Sequence, residues 1–538
     1  MTEDATAEEA ATGRKVPGLF RNYVSFFGAA IVAASLASII LLFLIEMTSG
    51  GDNPYLGIVT YVMLPGALIF GLLTIFAGMY FERRRRRRLA PGEIPAYPAL
   101  DLNDPRRRRS FFTFLGLMFL FVFMSAFGSY RAYEYSESVT FCGQTCHTVM
   151  KPEFIAHQAS PHARVRCVDC HVGGGAEWYV RSKLNGVHQL YSVLFNKYQK
   201  PIPTPVHNLR PANDTCAQCH WPEKFYGDEV RVFNHYAYDE RNTPRQTRLL
   251  VHVGGGSPAT GPVSGIHWHM NLANEIEYIA TDEHRQNIPW VRVKDRQGNV
   301  TEYTEDGAAL TPSVARAEKR RMDCIDCHNR PTHIYVPPDE AVNDSLAAGK
   351  LDASLPYLKR QAVELLSKPY QTNDEAVRSI AVSLGEFYRA NYAEVYASKP
   401  DSIKGAVAEL QRIYQTNFFP EMKTDWRAQP NNIGHYYYEG CFRCHDGKHE
   451  SRDGKIIRND CNVCHTTLDQ TEGGATFTAA NGAFRHPVEL GSLAQLDCTS
   501  CHASNKPFQH PVSLGDISQF KCSDCHSGKV WSKAAAAN

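Results

Sequence analysis

No cysteine of this 538-residue chain stands alone: all 16 fall in closely spaced pairs, and each pair is closed by a histidine. An excess of charge of either sign is also missing. The net charge of +1 gives no overall bias toward nucleic acid or a membrane surface, so the distribution of charge matters more than its sum. No P-loop, GxGxxG or nucleophile elbow occurs in a credible context, which removes the nucleotide-binding and serine-hydrolase readings. Outside the N-terminal quarter apolar side chains are sparse, so the core there needs apolar surface from another source.

What is present is one motif many times over. Seven pairs read C-x-x-C-H: Cys167 and Cys170, Cys216 and Cys219, Cys324 and Cys327, Cys441 and Cys444, Cys461 and Cys464, Cys498 and Cys501, and Cys522 and Cys525. The first pair, Cys142 and Cys146, is one residue longer. Two thiols followed at once by histidine is the attachment signature of c-type haem: the cysteines form thioethers and the histidine ligates iron from one face. Zinc ribbons pair C-x-x-C units but leave a histidine after every second cysteine unexplained, and disulfides impose no such spacing. The sequence therefore predicts eight covalently bound haems, with proximal ligands His147, His171, His220, His328, His445, His465, His502 and His526. Porphyrin edges then supply buried apolar surface, and the thioethers staple short segments that would not fold alone.

Three uncharged apolar runs precede the motifs: Tyr23–Ile45, Tyr55–Phe81 and Phe111–Tyr130. Each meets the roughly 20 residues needed to cross a hydrocarbon core. The first is too long for a signal-peptide core and reads as a retained anchor. Arg83–Arg88 and Arg106–Arg109 lie between the second and third runs, and the positive-inside bias places that loop, like Arg14, Lys15 and Arg21, in the cytoplasm. Everything after Tyr130 is then periplasmic, where haem attachment takes place. The predicted organisation is a cytoplasmic tail (1–22), a transmembrane hairpin (23–81), an Arg-rich cytoplasmic loop (82–110) and a third anchor (111–130). A tetrahaem domain (131–336) with a β-rich insertion at 221–323, a helical linker (337–420) and a C-terminal tetrahaem domain (421–538) follow. The fold class is a multihaem cytochrome c, mostly α with irregular loops, a small β-rich insertion and three N-terminal transmembrane helices.

Finer signals sit inside these segments. Trp178–Leu194 reads as an amphipathic helix at the bilayer surface. Trp290–Lys294 and Val300–Thr304 flank a Gly298-Asn299 turn and read as a hairpin, and Arg248–Val253 is a β-rich run. Leu358, Ala362 and Leu365, then Val377, Ile380, Leu384 and Phe387 behind a Thr372–Glu375 capping box, then Ile403, Val407, Leu410 and Tyr414, recur at helical spacing. Near the C-terminus a 24-residue repeat places His486 and His510 each 12 residues before a cysteine. With His435 and His449 these give four spare histidines for the last four haems. In the insertion, one of His267 or His269 is expected to complete the third haem, with His235 and His252 as further candidates.

The stretch 110–335 resembles the NapC/NirT family of membrane-anchored quinol dehydrogenases. The resemblance rests on one span before the first motif, CHTVMKPEF, Ser160-Pro-His-Ala163, CVDCHVGGGAEW, Lys183 and CIDCHNRPTH ending at His333. It implies a menaquinol site near the first haem with Lys183 as the quinone-pocket lysine. It also implies Met150 as a ligand of the first haem, His333 of the second and His162 of the fourth. Where some members carry an acid seven residues past the lysine this chain has Leu190, so His188 becomes the candidate for taking the quinol proton. The two extra spans make the whole chain similar to longer three-span inner-membrane cytochromes of metal-respiring bacteria.

Outside the motifs 14 histidines remain for eight distal positions, and no C-x-x-C-K occurs. That favours six-coordinate haems relaying electrons: a membrane-bound quinol:cytochrome c-type oxidoreductase of the bacterial inner membrane, passing electrons from menaquinol to a periplasmic cytochrome or reductase. The alternatives are a self-contained nitrite- or hydroxylamine-type reductase with one open haem, and a docking scaffold within a larger membrane complex or oligomer.

Overall fold

The computed structural model describes residues 18–20, 22–49, 64–88, 102–145, 147–173, 176–206, 210–221, 224–254, 265–270, 274–295 and 297–478. Two of the expected haem sites lie outside the described residues: the seventh motif, with Cys498, Cys501 and His502, and the eighth, with Cys522, Cys525 and His526. The expected distal ligands His486 and His510 lie outside them too. So do Cys146 and the side chains of His147 and Lys183. Two compact units emerge.

The first unit holds the three long helices and the stretch Val172–Val187. Helices α1 (Tyr23–Ser49), α2 (Leu64–Arg86) and α3 (Pro105–Ser136) are each long and apolar enough to span a membrane. Lipid tails are as apolar as leucine, so such helices associate through close packing of small residues. Gly28 of α1 and Gly71 of α2 do this: a Cβ added at Gly28 would come within 2.7 Å of the Gly71 carbonyl oxygen. One turn away the Ser25 hydroxyl donates to the Ile75 carbonyl at 3.1 Å, and Asn22 holds Ser25 through both backbone and side chain. Helix α3 buries none of its apolar window.

The second unit holds Cys142–His171 and the described residues from His188 onward. Its main core is helical. Helices α6 (Pro338–Ala347), α7 (Leu358–Ser367), α8 (Asn373–Asn391) and α9 (Pro400–Asn417) bury Leu358, Ala362, Leu366, Ile380, Leu384 and Leu410 completely or nearly so. Each such leucine or isoleucine contributes about 1.5–3 kcal/mol, so this region holds itself together by side chains rather than by porphyrin. The predicted N-cap is present, with Thr372 Oγ1 accepting from Glu375 N at 3.1 Å, but the Glu375 carboxylate accepts from Gln371 N at 2.8 Å, one residue before the cap, so the box does not close on Thr372 itself. The buried stripe of α8 is rotated slightly from the expected one, with Ala376 and Tyr388 inside and Val377 and Phe387 at its edges. Helix α4 (His147–Gln158), which begins at the first motif histidine, adds Val149 and Ala156 to this core. The predicted linker is thus a buttress for the haem-bearing segments.

Within this unit the insertion and the C-terminal segment share two sheets. Strands β1 (Glu229–Tyr236), β2 (Pro244–Val251), β8 (His465–Glu472) and β9 (Ala475–Thr478) form one antiparallel sheet in that order. Strands β6 (Arg320–Arg321), β3 (Glu275–Ile279), β4 (Trp290–Lys294), β5 (Val300–Glu305) and β7 (His449–Ser451) form another. The expected hairpin is β4–β5, with Trp290 opposite Thr304. Each sheet takes strands from both the insertion and the C-terminal segment. Arg245 to Glu472 and Arg248 to Asp469 are ion pairs across the first sheet.

Candidate haem sites

Five of the motif histidines come to rest facing other histidines. Ring centres are 6.2 Å apart for His171 and His333, 6.0 Å for His220 and His162, and 6.3 Å for His328 and His267. They are 5.8 Å apart for His445 and His269 and 6.2 Å for His465 and His435. Two metal–imidazole bonds of roughly 2 Å, in line through one metal, hold ring centres roughly 6 Å apart. Each of the five motifs from the second to the sixth therefore presents its histidine to a second ring at the separation a six-coordinate haem iron needs.

Hydrogen bonding sets five of these ten rings apart from the remaining histidines. In His162, His267, His269, His333 and His445 the Nδ1 atom sits 2.5–3.3 Å from a backbone carbonyl: Pro331, Val253, Ile266, Glu153 and Arg458 in turn. That contact makes Nδ1 the protonated nitrogen and leaves the Nε2 lone pair for a metal, the usual arrangement of a ligating histidine. Burial lowers the pKa of His267, His269, His333 and His445, which favours the neutral ring.

His449 is different. It is 2% exposed, and its Nδ1 pairs with Asp446 at 2.9 Å while its Nε2 meets the Ile288 carbonyl at 2.7 Å. Both nitrogens are occupied, and although burial opposes charge, Asp446 raises the pKa of this ring. His252 is likewise held at both nitrogens, by Asp228 and Thr466, and His157 by Val165 and Gln158. His235 lies beside Tyr436 and Asn343. These four rings belong to the protein's own hydrogen-bonding network.

His333 stands by His171 of the second motif, and His162, expected at the fourth, faces His220 of the third. His267 and His269, expected to offer one ligand to the third haem, face the fourth and fifth motifs respectively. His449, expected beside a C-terminal haem, is engaged on both nitrogens by Asp446 and Ile288. Met150 is half-buried on α4 and His188 is exposed on helix α5 (Ala176–Leu194).

The thiols line up in chain order. Cys142 hydrogen-bonds to Cys167, Cys170 lies within electrostatic reach of Cys219, and Cys216 pairs with Cys324. Cys327 neighbours Cys441, which neighbours Cys464. Motifs one to six thus form a file of neighbours. None of the described cysteines is in a disulfide, and among the described residues no three of His, Cys, Asp or Glu converge as a structural zinc site requires.

Charged side chains brace the file, and sequence reasoning had passed over them. Glu153 accepts from Arg330 at 3.3 Å and lies 3.1 Å from His333 Nδ1. Asp326, the third residue of the fourth motif, is 2% exposed and accepts from Tyr278 at 2.7 Å, Arg320 at 2.8 Å and Arg285 at 3.0 Å. Arg443, inside the fifth motif, donates to the Asp326 carbonyl at 2.7 Å and the Arg285 carbonyl at 2.9 Å. A charge between the two cysteines of a motif was the available clue.

Comparisons with known proteins show the chain's relatives. Residues 104–220 match the model described as NapC/NirT cytochrome c family, N-terminal region, and residues 435–527 match Cytochrome c3. The chain is 47% identical over 493 residues to a protein of Geobacter sulfurreducens named Cytochrome c-type protein ImcH, covering 91% of this chain and 97% of that one. The chain belongs to the NapC/NirT family of multihaem c-type cytochromes. No solved structure matches it. As a NapC/NirT cytochrome it is an electron-transfer protein carrying covalent haem c, with three helices suited to a membrane.

Proposed function

We propose that this cytochrome oxidises menaquinol at the inner membrane and passes the electrons through eight c-type haems to a periplasmic redox partner. The observation that carries the relay reading is the set of five motif histidines, each facing a second imidazole ring. Haem c, once attached, supplies one-electron redox chemistry at each site. The chain's own residues do the rest. The cysteine pairs would hold the porphyrins, Cys498 with Cys501 and Cys522 with Cys525 taking the last two. His333, His162, His267, His269 and His435 would close the second axial position of motifs two to six. His486 and His510 are proposed for motifs seven and eight and Met150 for the first. Lys183, on helix α5, would hydrogen-bond a quinone carbonyl, and His188 would take a proton from the quinol. The Arg-rich stretches would keep the loop between α2 and α3 in the cytoplasm and send the haem-bearing segments outside.

A reductase with an open haem draws no support from motifs two to six. The test of the quinol reading is anaerobic reduction of the purified protein by a menaquinol analogue, followed in the haem spectra. Lys183→Ala is expected to slow reduction at least about tenfold, equivalent to ~1.4 kcal/mol in the barrier, with the haem content unchanged. An unchanged rate would take the quinol site away from Lys183.

A further inference from the structure

We infer that the turn Ile266–Met270 is a junction that holds two haems at once, His267 completing the motif-four site and His269 the motif-five site. The inference rests on the relay reading and assigns to this turn the crossing between the motifs before the helical core and those after it. The turn is a single 3-10 helix. Successive residues in such a helix are ~120° apart around its axis, so two histidines separated by one residue point in different directions and can serve different irons. They do so here: His267 lies parallel to His328, 5° between planes, while His269 stands at 90° to His445.

The turn is fixed at every point where a slip would misplace a ring. Gly265, with φ +76°, starts it in the left-handed region, and an added Cβ there would come 2.5 Å from the His252 carbonyl oxygen. Ile266 N donates to that carbonyl at 2.9 Å and His267 N to the Val253 carbonyl at 3.0 Å. Trp268, between the two histidines, packs on the core of Ile276, Tyr278, Ile288 and Val291, and Asn274 donates to its carbonyl at 3.0 Å. The motifs are independently clamped together by Arg443, which reaches from the fifth to the Asp326 carbonyl of the fourth. With haem c attached at both, the motif-four and motif-five sites would be neighbours for one-electron exchange.

The test uses the full-length protein in detergent, with haem content by intact mass and low-temperature electron paramagnetic resonance of the oxidised form. Parallel imidazole planes split the iron d orbitals and give a rhombic low-spin signal; perpendicular planes leave them nearly degenerate and give a strongly anisotropic one. His267→Met is expected to remove one rhombic signal, His269→Met one strongly anisotropic signal, and the double variant both. In a Cys324→Ala/Cys327→Ala background the His267→Met change should vanish while the His269→Met change persists. The Cys441→Ala/Cys444→Ala background should show the reverse. If a variant sheds a haem, mapping the unmodified cysteines must find Cys324 and Cys327 for His267 and Cys441 and Cys444 for His269. Both substitutions altering the same signal, either leaving the spectrum unchanged, or haem loss at other motifs would overturn the junction. A wild-type spectrum without bis-histidine low-spin signals would instead overturn the relay reading itself.

Discussion

His333 faces His171 across 6.2 Å, and its outer nitrogen rests on Glu153, on the carbonyl at 3.0 Å and the carboxylate at 3.1 Å. Glu153 in turn pairs with Arg330, only 6% exposed. One acid therefore orients a proposed ligand and neutralises a buried cation. Glu153→Gln is expected to leave Arg330 uncompensated and to destabilise the protein by about 3 kcal/mol, seen as a lower melting temperature. It should also raise the reduction potential of the motif-two haem, because a weaker acceptor at Nδ1 makes His333 a poorer donor. A potentiometric titration checks the second effect.

His435 and His449 stand in the same segment but should behave oppositely. His435→Ala is expected to convert one low-spin haem to high spin. His449→Ala should leave the haem spectrum intact and cost about 2 kcal/mol, from the broken bonds to Asp446 and Ile288. Absorption spectra and thermal melts of the two variants separate these outcomes.

Lys359 is fully buried, and Asp339 meets its ammonium at 2.7 Å while accepting from Tyr238 and Tyr437. Burial pushes the Asp339 carboxyl up, but Lys359 and these hydrogen bonds outweigh it and hold the pKa below the ordinary carboxylate value of 3.8. A depressed acid stabilises the fold above its unfolded pKa and loses that contribution as pH falls through the folded one. Acid denaturation should accordingly steepen below about pH 4. Asp339→Asn should remove that dependence and destabilise the helical core by about 3–5 kcal/mol by leaving Lys359 unpaired. Denaturant midpoints measured from pH 7 downward check both.

Gly265→Ala is expected to strain the turn by about 1–3 kcal/mol through its left-handed backbone alone. The collision with the His252 carbonyl should displace the histidines of the turn. Two haems, and not one, should lose low-spin character in the spectrum.

The haem attachment pattern was legible in the sequence because thioether chemistry forces both cysteines and the proximal histidine into one short run. The helical stripes were legible because a period of 3.6 is local: Ile380 and Leu384 are buried as their spacing requires. Which second ring stands by each of motifs two to six was not. His267 and His449 both follow short polar or glycine-rich sequences, and what separates them is whether one nitrogen or both find a protein oxygen, a matter of which groups come near in space. The same holds for β7 and β8, whose partners β5 and β2 lie far back in the chain. The resemblance implied His333 for the second motif and His162 for the fourth; in the structure His333 stands by His171 and His162 by His220 of the third, a placement set by contacts remote in the chain.

The most direct test of the account is near-infrared magnetic circular dichroism of the oxidised protein, which reports the axial ligands of each low-spin haem. The account predicts bis-histidine bands with the intensity of at least five haems, from motifs two to six. High-spin features or methionine ligation in more than the three remaining motifs would contradict it.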